Sequence, residues 1–254
     1  MPHGHPSNNP RSHNSASGNA HFAGGKFELI REIGRGGTAV VHLAREPQTG
    51  RYCAIKVLNA RYAAREDLRE RFRRECESMA NIDHPSVLRV LTWGITEGKL
   101  YLAMEYAEGG SVGAWVRRNG PMGAHRAIDL ASQVCDGVAA AHAIGVVHRD
   151  VKPDNLLLTD DRRVRLTDLG IAKVGGADPA LTVEGQFVGS LPYAAPEQAA
   201  GGDVGPPADL YALGVVLFEL AMGRPPFLGD DVVALLRARR HDVGVRARTN
   251  ATPG

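Results

Sequence analysis

The sequence has few cysteines, almost no net charge and no long apolar run, and each shortage argues against a class of protein. Its three cysteines are far apart and form no CxxC pair, which favours reduced thiols over a disulfide framework or a zinc site. The formal net charge of +2 gives no reason to expect nucleic acid or an anionic membrane as a partner. Because no stretch approaches the roughly 18 apolar residues of a membrane span, and no signal-peptide pattern opens the chain, we expect no membrane span here.

Residues 1–25 differ in composition from the rest of the chain. They are rich in Pro, Gly, Ser, Asn and His and contain almost no aliphatic residue, so they lack the apolar surface that would offset the entropy of ordering. We predict a disordered tail over 1–25. Its histidines could bind a metal weakly, but a solvated tail is the favoured interpretation.

A lobe rich in β-strands is predicted from residue 26 to residue 106. Alternating apolar residues over 27–34, 39–46, 51–58, 86–95 and 99–106, separated by turn residues, predict strands of an antiparallel sheet. Between them, residues 63–82 have Leu68, Phe72, Cys76 and Met79 at helical spacing, which predicts one amphipathic helix.

A larger helical lobe is predicted over 107–254. Residues 125–145 form an Ala-rich pattern that ends at a glycine, and residues 206–223 form a strongly apolar helix introduced by prolines. The overall expectation is an α+β fold of two lobes, with a hinge at residues 105–107.

A glycine cluster at Gly34, Gly36 and Gly37 lies between two predicted strands. Glycine lets backbone N–H groups approach phosphate oxygens without a Cβ in the way, but glycine-rich hairpins are equally common in ordinary sheets. Lys56 lies between apolar residues of the next strand. If it points inward it needs an anion, and Glu75 on the charged helix is a reasonable partner, whereas a lone strand lysine more often faces solvent.

Residues 146–158, VVHRDVKPDNLLL, place polar side chains between two apolar runs. Asp150 can orient or accept a proton, Lys152 can neutralise phosphate charge, and the amide oxygen of Asn155 can bind Mg²⁺. Asp168, thirteen residues beyond Asn155, would add a carboxylate to such a site. A surface loop between two strands is the alternative for this stretch taken alone.

Together these stretches resemble the bacterial branch of the eukaryotic-like (Hanks-type) serine/threonine protein kinases. The resemblance rests on GRGGTAVVHLAR, HPSV, HRDVKPDN, APEQ and PPF in one order over about residues 26–240. It implies the bilobal protein kinase-like fold, with an antiparallel N-lobe sheet, one key helix and a mainly helical C-lobe. It also implies ATP and Mg²⁺ as cofactors, with Mn²⁺ as an alternative metal, and protein Ser or Thr hydroxyls as acceptors.

The resemblance assigns a role to each matching residue. The loop at Gly34, Gly36 and Gly37 would cover the ATP phosphates, Lys56 would contact the α- and β-phosphates, and Glu75 would pair with Lys56 in the active state. The adenine would lie between Val41 and Ala54 above and Leu157 below, with Met104 as gatekeeper and the backbone of Glu105 to Ala107 at its edge. Asp150 would be the base or orienting group, Lys152 would stabilise the transferred phosphoryl, and Asn155 and Asp168 would hold the metal.

Regulation is implied at three positions. Arg149 precedes the catalytic aspartate and is expected to pair with an activation-loop phosphate, for which Thr182 is the candidate autophosphorylation site. Ser190 takes the place of the Thr that contacts Asp150 and Lys152 in the family.

Other features depart from the family pattern. Ala39 replaces the third loop glycine, DFG is DLG, and the Arg before Asp209 is missing. The chain also stops before the later helices of the C-lobe, so we expect a catalytic domain truncated at its C-terminus.

The leading hypothesis is an active kinase, with a dimer as the candidate assembly for trans-autophosphorylation. We expect it in the cytoplasm or as the cytoplasmic portion of a membrane-anchored kinase. The alternative from another class is a nucleotide-binding pseudokinase or an inactive fragment that acts as a scaffold. A small-molecule phosphotransferase is disfavoured by the APE and activation-loop features, which serve peptide substrates.

Overall fold

The structure is a computed structural model that describes residues 20–161, 163–169, 190–199 and 201–227. Six antiparallel strands form its larger sheet in the order β1-β2-β3-β4-β6-β5. The strands are β1 (Ala20–Phe22), β2 (Phe27–Arg35), β3 (Ala39–Arg45), β4 (Tyr52–Leu58), β5 (Val90–Thr96) and β6 (Lys99–Glu105). This confirms the antiparallel sheet that the alternating pattern predicts.

The first strand lies inside the segment predicted as a disordered tail, so the boundary at residue 25 is wrong. Phe22 is buried and packs edge-on against Tyr101, with ring centroids 5.3 Å apart. One aromatic side chain in a polar stretch therefore buries enough apolar area to order an edge strand next to β2. Residues 1–19 lie outside the described residues.

Two helices follow β4. α1 (Ala60–Ala63) is a single turn that the sequence pattern did not predict, and α2 (Glu66–Ala80) is the predicted amphipathic helix. The four residues of its predicted apolar stripe are all buried: Leu68, Phe72, Cys76 and Met79. Burial raises the pKa of the Cys53 thiol to about 11 and raises that of Cys76 further, which fits two inert thiols in the core.

The helical lobe begins after the hinge at residues 105–107. Its elements are α3 (Val112–Asn119), α4 (Ala124–Ala143), a short 3₁₀ turn (Pro153–Asn155), β7 (Leu156–Leu158), β8 (Val164–Leu166), α5 (Pro196–Ala199) and α6 (Pro206–Met222). β7 and β8 form an antiparallel hairpin with Leu156 opposite Leu166. α6 packs against α4, and its apolar character on all sides is typical of a central helix.

A single apolar cluster connects the two lobes. Met79 of α2 and Val90 of β5 belong to the same cluster as Leu169, which follows the β7–β8 hairpin. The cluster fixes the position of the hairpin relative to the sheet, so that the polar ends of both elements face one cleft.

Candidate active site

Asp150 lies at the centre of a hydrogen-bond network in residues 148–155, which we call the catalytic loop after the role that the resemblance implies for it. The Nζ of Lys152 is 2.8 Å from Oδ2 of Asp150, and the Nδ2 of Asn155 donates to the same carboxylate oxygen at 2.9 Å and to the Asp150 carbonyl at 2.8 Å. Only about a sixth of the Asp150 side chain is exposed. The carboxylate is therefore held in one orientation, with an ammonium beside it.

Ser190 belongs to the same network. Its Oγ accepts from the Nζ of Lys152 at 2.7 Å, so Ser190 contacts Lys152 directly and Asp150 through it. Residues 38 positions apart in the chain thus meet at one ammonium group. This contact agrees with the position that the resemblance gives to Ser190.

Asp209, near the start of α6, accepts hydrogen bonds from the backbone of the catalytic loop. Its side chain is 1% exposed and accepts from the backbone N–H of His148 at 2.8 Å and of Arg149 at 2.7 Å, while Nε2 of His142 lies 2.8 Å away. Arg149 has a positive φ of 67°, a conformation that such fixed bonds can maintain in a non-glycine residue. This role was not predicted from the sequence, although a carboxylate near the start of a strongly apolar helix was a signal for it.

His148 links the catalytic loop to Asp168. Its Nε2 lies 2.9 Å from the carbonyl oxygen of Thr167, and its Nδ1 accepts from the N–H of Asp150 at 3.2 Å. Because a carbonyl oxygen can only accept, the proton is on Nε2, and the tautomer is fixed by both neighbours. The imidazole is buried, so it sets the spacing between the two acids of the site.

Lys56 of β4 forms an ion pair with Asp168. Its Nζ is 2.7 Å from Oδ1, and the two side chains are 11% and 28% exposed. Burial opposes ionisation of Asp168, but the charge and hydrogen bond of Lys56, with weaker help from the charge of Lys152, outweigh it and hold the pKa of the carboxyl below its usual value. Asp168 is thus an anion, held at a positive φ of 64°.

The predicted ion pair between Lys56 and Glu75 is not formed in this structure. The Oε2 of Glu75 is buried and has no hydrogen-bond partner among the described residues. Burial raises the pKa of Glu75 to about 7, and the charges of Arg71 and Arg149 oppose that rise. The physical reason is competition between two carboxylates for one ammonium, which Asp168 occupies here. The pairing in an active state stays a prediction.

The strand register brings the predicted nucleotide-binding residues together. Val41 lies opposite Lys56 on β3 and β4, and Ala54 lies opposite Met104 on β4 and β6. Leu157 lies on β7, which contacts the segment after the hinge through a bridge to Ser111. Gly34 lies near the end of β2, Gly36 and Gly37 lie in the β2–β3 turn, and Glu105 and Ala107 lie at the end of β6 and just after it. These elements border the cleft that contains Lys56 and Asp168.

The described residues also fit a hard divalent cation next to Asp168. The Nδ2 of Asn155 donates to Asp150, so its amide oxygen is left for another partner, and Asp168 supplies a carboxylate. Oxygen donors of this kind suit Mg²⁺, which takes few protein ligands and completes its shell with phosphate and water oxygens. Within the described part of the chain, no group of three or more His, Cys, Asp or Glu residues could hold a metal.

A cavity of about 570 Å³ borders the hinge, but neither Lys56 nor Asp168 lines it. Glu105 and Arg165, which form an ion pair, contribute to its wall. The residues that line this cavity therefore do not include the polar network around Asp150 and Asp168.

A second polar cluster lies beside the catalytic loop. Arg117 of α3 donates to Asp154 at 2.9 Å, and the hydroxyl of Tyr193 donates to Glu219 of α6 at 2.6 Å. Burial raises the pKa of Tyr193, and so does its hydrogen bond to Glu219. These bonds connect α3, the catalytic loop, the segment after Ser190 and α6.

Arg149, the expected partner of an activation-loop phosphate, forms hydrogen bonds through both its backbone N–H and its backbone carbonyl. Its N–H donates to Asp209, and its carbonyl accepts from Nε2 of Gln198 at 2.9 Å. Thr182, the predicted phosphorylation site, lies outside the described residues.

Comparison with known proteins identifies the class that this fold and site define. The family model described as "Protein kinase domain" matches residues 27–250. The chain is 38% identical over 211 residues to serine/threonine-protein kinase PrkC of Bacillus subtilis, covering 83% of this chain and 32% of that protein. It is 40% identical over 222 residues to serine/threonine-protein kinase Pkn1 of Myxococcus xanthus, covering 85% and 32%.

A solved structure gives the same answer for the fold. The kinase domain of Mycobacterium tuberculosis PknI superposes with a TM-score of 0.67 and 31% identity, covering 84% of this chain and 78% of that one. This chain belongs to the protein kinase domain family, and its fold is the expected α+β bilobal fold. It spans about a third of the length of PrkC and of Pkn1. No helix in the described ranges is long and apolar enough to cross a membrane.

Proposed function

We propose that this chain transfers the γ-phosphoryl group of ATP to Ser and Thr hydroxyls of proteins. The observation that carries the proposal is the single network in which Lys152, Asn155 and, through Lys152, Ser190 hold the Asp150 carboxylate. Relatives named as serine/threonine-protein kinases support the same reaction class.

Each residue has a separate task in this proposal. The Asp150 carboxylate orients the acceptor hydroxyl and receives its proton as the oxygen attacks the γ-phosphorus, while the bond from that phosphorus to the β–γ bridging oxygen breaks and ADP leaves. Lys152 stabilises the charge of the transferred group. Lys56 contacts the α- and β-phosphates, which requires it to share or leave Asp168. Mg²⁺ or Mn²⁺ held by Asn155 and Asp168 would neutralise phosphate charge.

A transfer assay with Asp150→Asn tests the proposal. The substitution keeps the size of the side chain and removes the proton acceptor. We therefore expect phosphoryl transfer from radiolabelled ATP, both to the chain's own hydroxyls and to a generic protein substrate, to fall at least about a hundredfold. Asp136→Asn, an exposed acid on α4, is the matched control and should keep full activity.

Wild-type levels of transfer by Asp150→Asn would overturn the assignment. Binding of Mg-ATP by the wild type without any transfer would instead favour the pseudokinase alternative.

We further propose that Thr182 is autophosphorylated and that its phosphate pairs with Arg149. Support comes from the sequence, where Thr182 is the hydroxyl residue between Gly170 and Gly189, and from the fixed backbone of Arg149. Mass spectrometry of the active protein should find phosphate at Thr182, and Thr182→Val should lower transfer to other substrates. An active protein without phosphate at Thr182 contradicts this part of the proposal.

Three further points extend the proposal. ATP is a cytoplasmic cofactor and the thiols of Cys53, Cys76 and Cys135 are free, which supports a cytoplasmic catalytic domain.

Dimerisation would allow one copy to phosphorylate another, and sedimentation before and after ATP addition tests it. Titration of the transfer rate with each metal distinguishes Mg²⁺ from Mn²⁺.

A further inference from the structure

The tip of the glycine loop is bound to the end of the strand that carries Lys56. Asn59, three residues after Lys56, donates its backbone N–H to the Thr38 carbonyl at 2.9 Å and its side-chain Nδ2 to the Gly37 carbonyl at 2.8 Å. Both bonds end on the turn between β2 and β3. One residue outside the sequence motifs therefore joins the two parts of the site that are expected to face phosphate.

The side chain of Asn59 is used for this contact and not for the helix that follows it. Asn59 occupies the N-cap position of α1, where asparagine commonly accepts from a helix N–H, but its side chain makes no capping bond. The backbone carbonyl of Asn59 accepts from Tyr62, so the start of the helix is closed without the side chain.

The two bonds fix the direction of the loop's peptide planes. In a trans peptide the C=O of one residue points opposite to the N–H of the next. The carbonyls of Gly37 and Thr38 are directed at Asn59, so the N–H groups of Thr38 and Ala39 point away from Asn59 and toward the turn. Gly36 closes this turn by donating its N–H to the Ala39 carbonyl at 2.9 Å. A turn with amides directed to one side is suited to phosphate oxygens.

We propose that Asn59 is a positioning residue for the ATP phosphates: its carboxamide holds the glycine-loop tip against β4 and so orients the loop amides relative to Lys56. This inference rests on the proposed function, because it assumes that the cleft binds ATP. It predicts an effect on the phosphates and none on the adenosine part of the ligand, which the hinge binds.

Calorimetric titration of the full chain with Mg-ADP and, separately, with adenosine tests the proposal. Asn59→Leu keeps the side-chain size and removes the hydrogen bond, so we expect Mg-ADP affinity to fall about three- to tenfold, as for one lost hydrogen bond, and adenosine affinity to stay within about twofold. Asn59→Ala serves as the second variant if the leucine perturbs folding.

The matched control is Asn119→Leu. Asn119 is also exposed and also donates its Nδ2 to a backbone carbonyl at 2.8 Å, that of Trp115, but it lies on α3. We expect this control to bind both ligands as the wild type does.

The possible outcomes distinguish failure of the positioning role of Asn59 from failure of the proposed kinase function. Unchanged Mg-ADP affinity in Asn59→Leu and Asn59→Ala, or an equal loss for adenosine, overturns the positioning role while the proposed function stands. A wild type that binds neither ligand overturns both.

Discussion

The ammonium of Lys56 lies 2.7 Å from the Asp168 carboxylate, whereas Oε2 of Glu75 is buried with no hydrogen-bond partner in the described part of the chain. Lys56 carries one positive charge, which can balance the negative charge of one of these two carboxyl groups and not of both. Of these two acids, the one paired with Lys56 has a lowered pKa, and the one with a buried oxygen that lacks a partner has its pKa raised to about 7.

Glu75 should make the stability of the protein depend on pH. Its pKa is about 7 in the folded state against a usual value of 4.5, so the folded state binds the proton more tightly. The stability that this proton provides is fully present below about pH 4.5 and is lost as pH rises through about 7. We expect Glu75→Gln to remove this dependence, so that urea unfolding shows the variant losing about 2 kcal/mol less than the wild type between pH 5 and pH 8.

An exposed acid provides the control for that measurement. Glu108→Gln, at the surface after the hinge, should follow the wild-type pH profile. A Glu75→Gln profile parallel to that of the wild type would show that Glu75 titrates normally.

Asp209 should be a main determinant of the stability of the catalytic loop. Asp209→Ala leaves the buried N–H of His148 and the N–H of Arg149 without acceptors, and each unsatisfied donor costs about 1–3 kcal/mol. We expect the free energy of unfolding to fall by about 2–4 kcal/mol in chemical denaturation, with transfer activity reduced even where the protein is folded. Asp203→Ala, an exposed acid just before α6, should change stability by less than about 0.5 kcal/mol. Equal stability of the two variants would contradict the role of Asp209.

Ser190 should act on the chemical step and not on nucleotide binding. Ser190→Ala removes the 2.7 Å bond to the Lys152 ammonium, and a bond to a charged group is worth about 1.5–3 kcal/mol. We therefore expect kcat to fall about ten- to a hundredfold with the KM for ATP unchanged. Ser190→Thr keeps the hydroxyl and should restore most of the rate, and a threonine variant as slow as the alanine variant would rule out the hydroxyl as the cause.

The fold was predictable from the sequence more fully than the site was. The side chains that face the core alternate in β2 to β6 and recur at helical spacing in α2, as Leu68 and Phe72 do. The pattern of apolar residues therefore predicts these strands and this helix directly. The edge strand at Phe22 was missed because a single aromatic residue produces no periodic signal.

Contacts to the backbone escaped prediction for a different reason. The partners of Asp209 and Asn59 include backbone N–H groups and carbonyls, which all residues except proline have, so the sequence does not indicate which of them will be used. The choice of Lys56 between Asp168 and Glu75 depends on distances within the folded cleft, which residue spacing does not fix.

Two helical glycines should respond in opposite directions to alanine. Alanine is favoured over glycine in a helix interior by about 1 kcal/mol, and Gly214 on α6 has no described atom within 4 Å of an added Cβ, so Gly214→Ala should stabilise the protein by about 0.5–1 kcal/mol. At Gly137 on α4 the added Cβ would lie 2.9 Å from the carbonyl oxygen of Ser86, which accepts from the N–H of Leu166 at 2.8 Å. The new methyl group must displace backbone that positions β8 and hence Asp168, so Gly137→Ala should lower the free energy of unfolding by about 1–3 kcal/mol despite its better helix propensity. Thermal and urea unfolding of both variants measure this difference, and stabilisation by both substitutions would mean that α4 does not pack closely against Ser86.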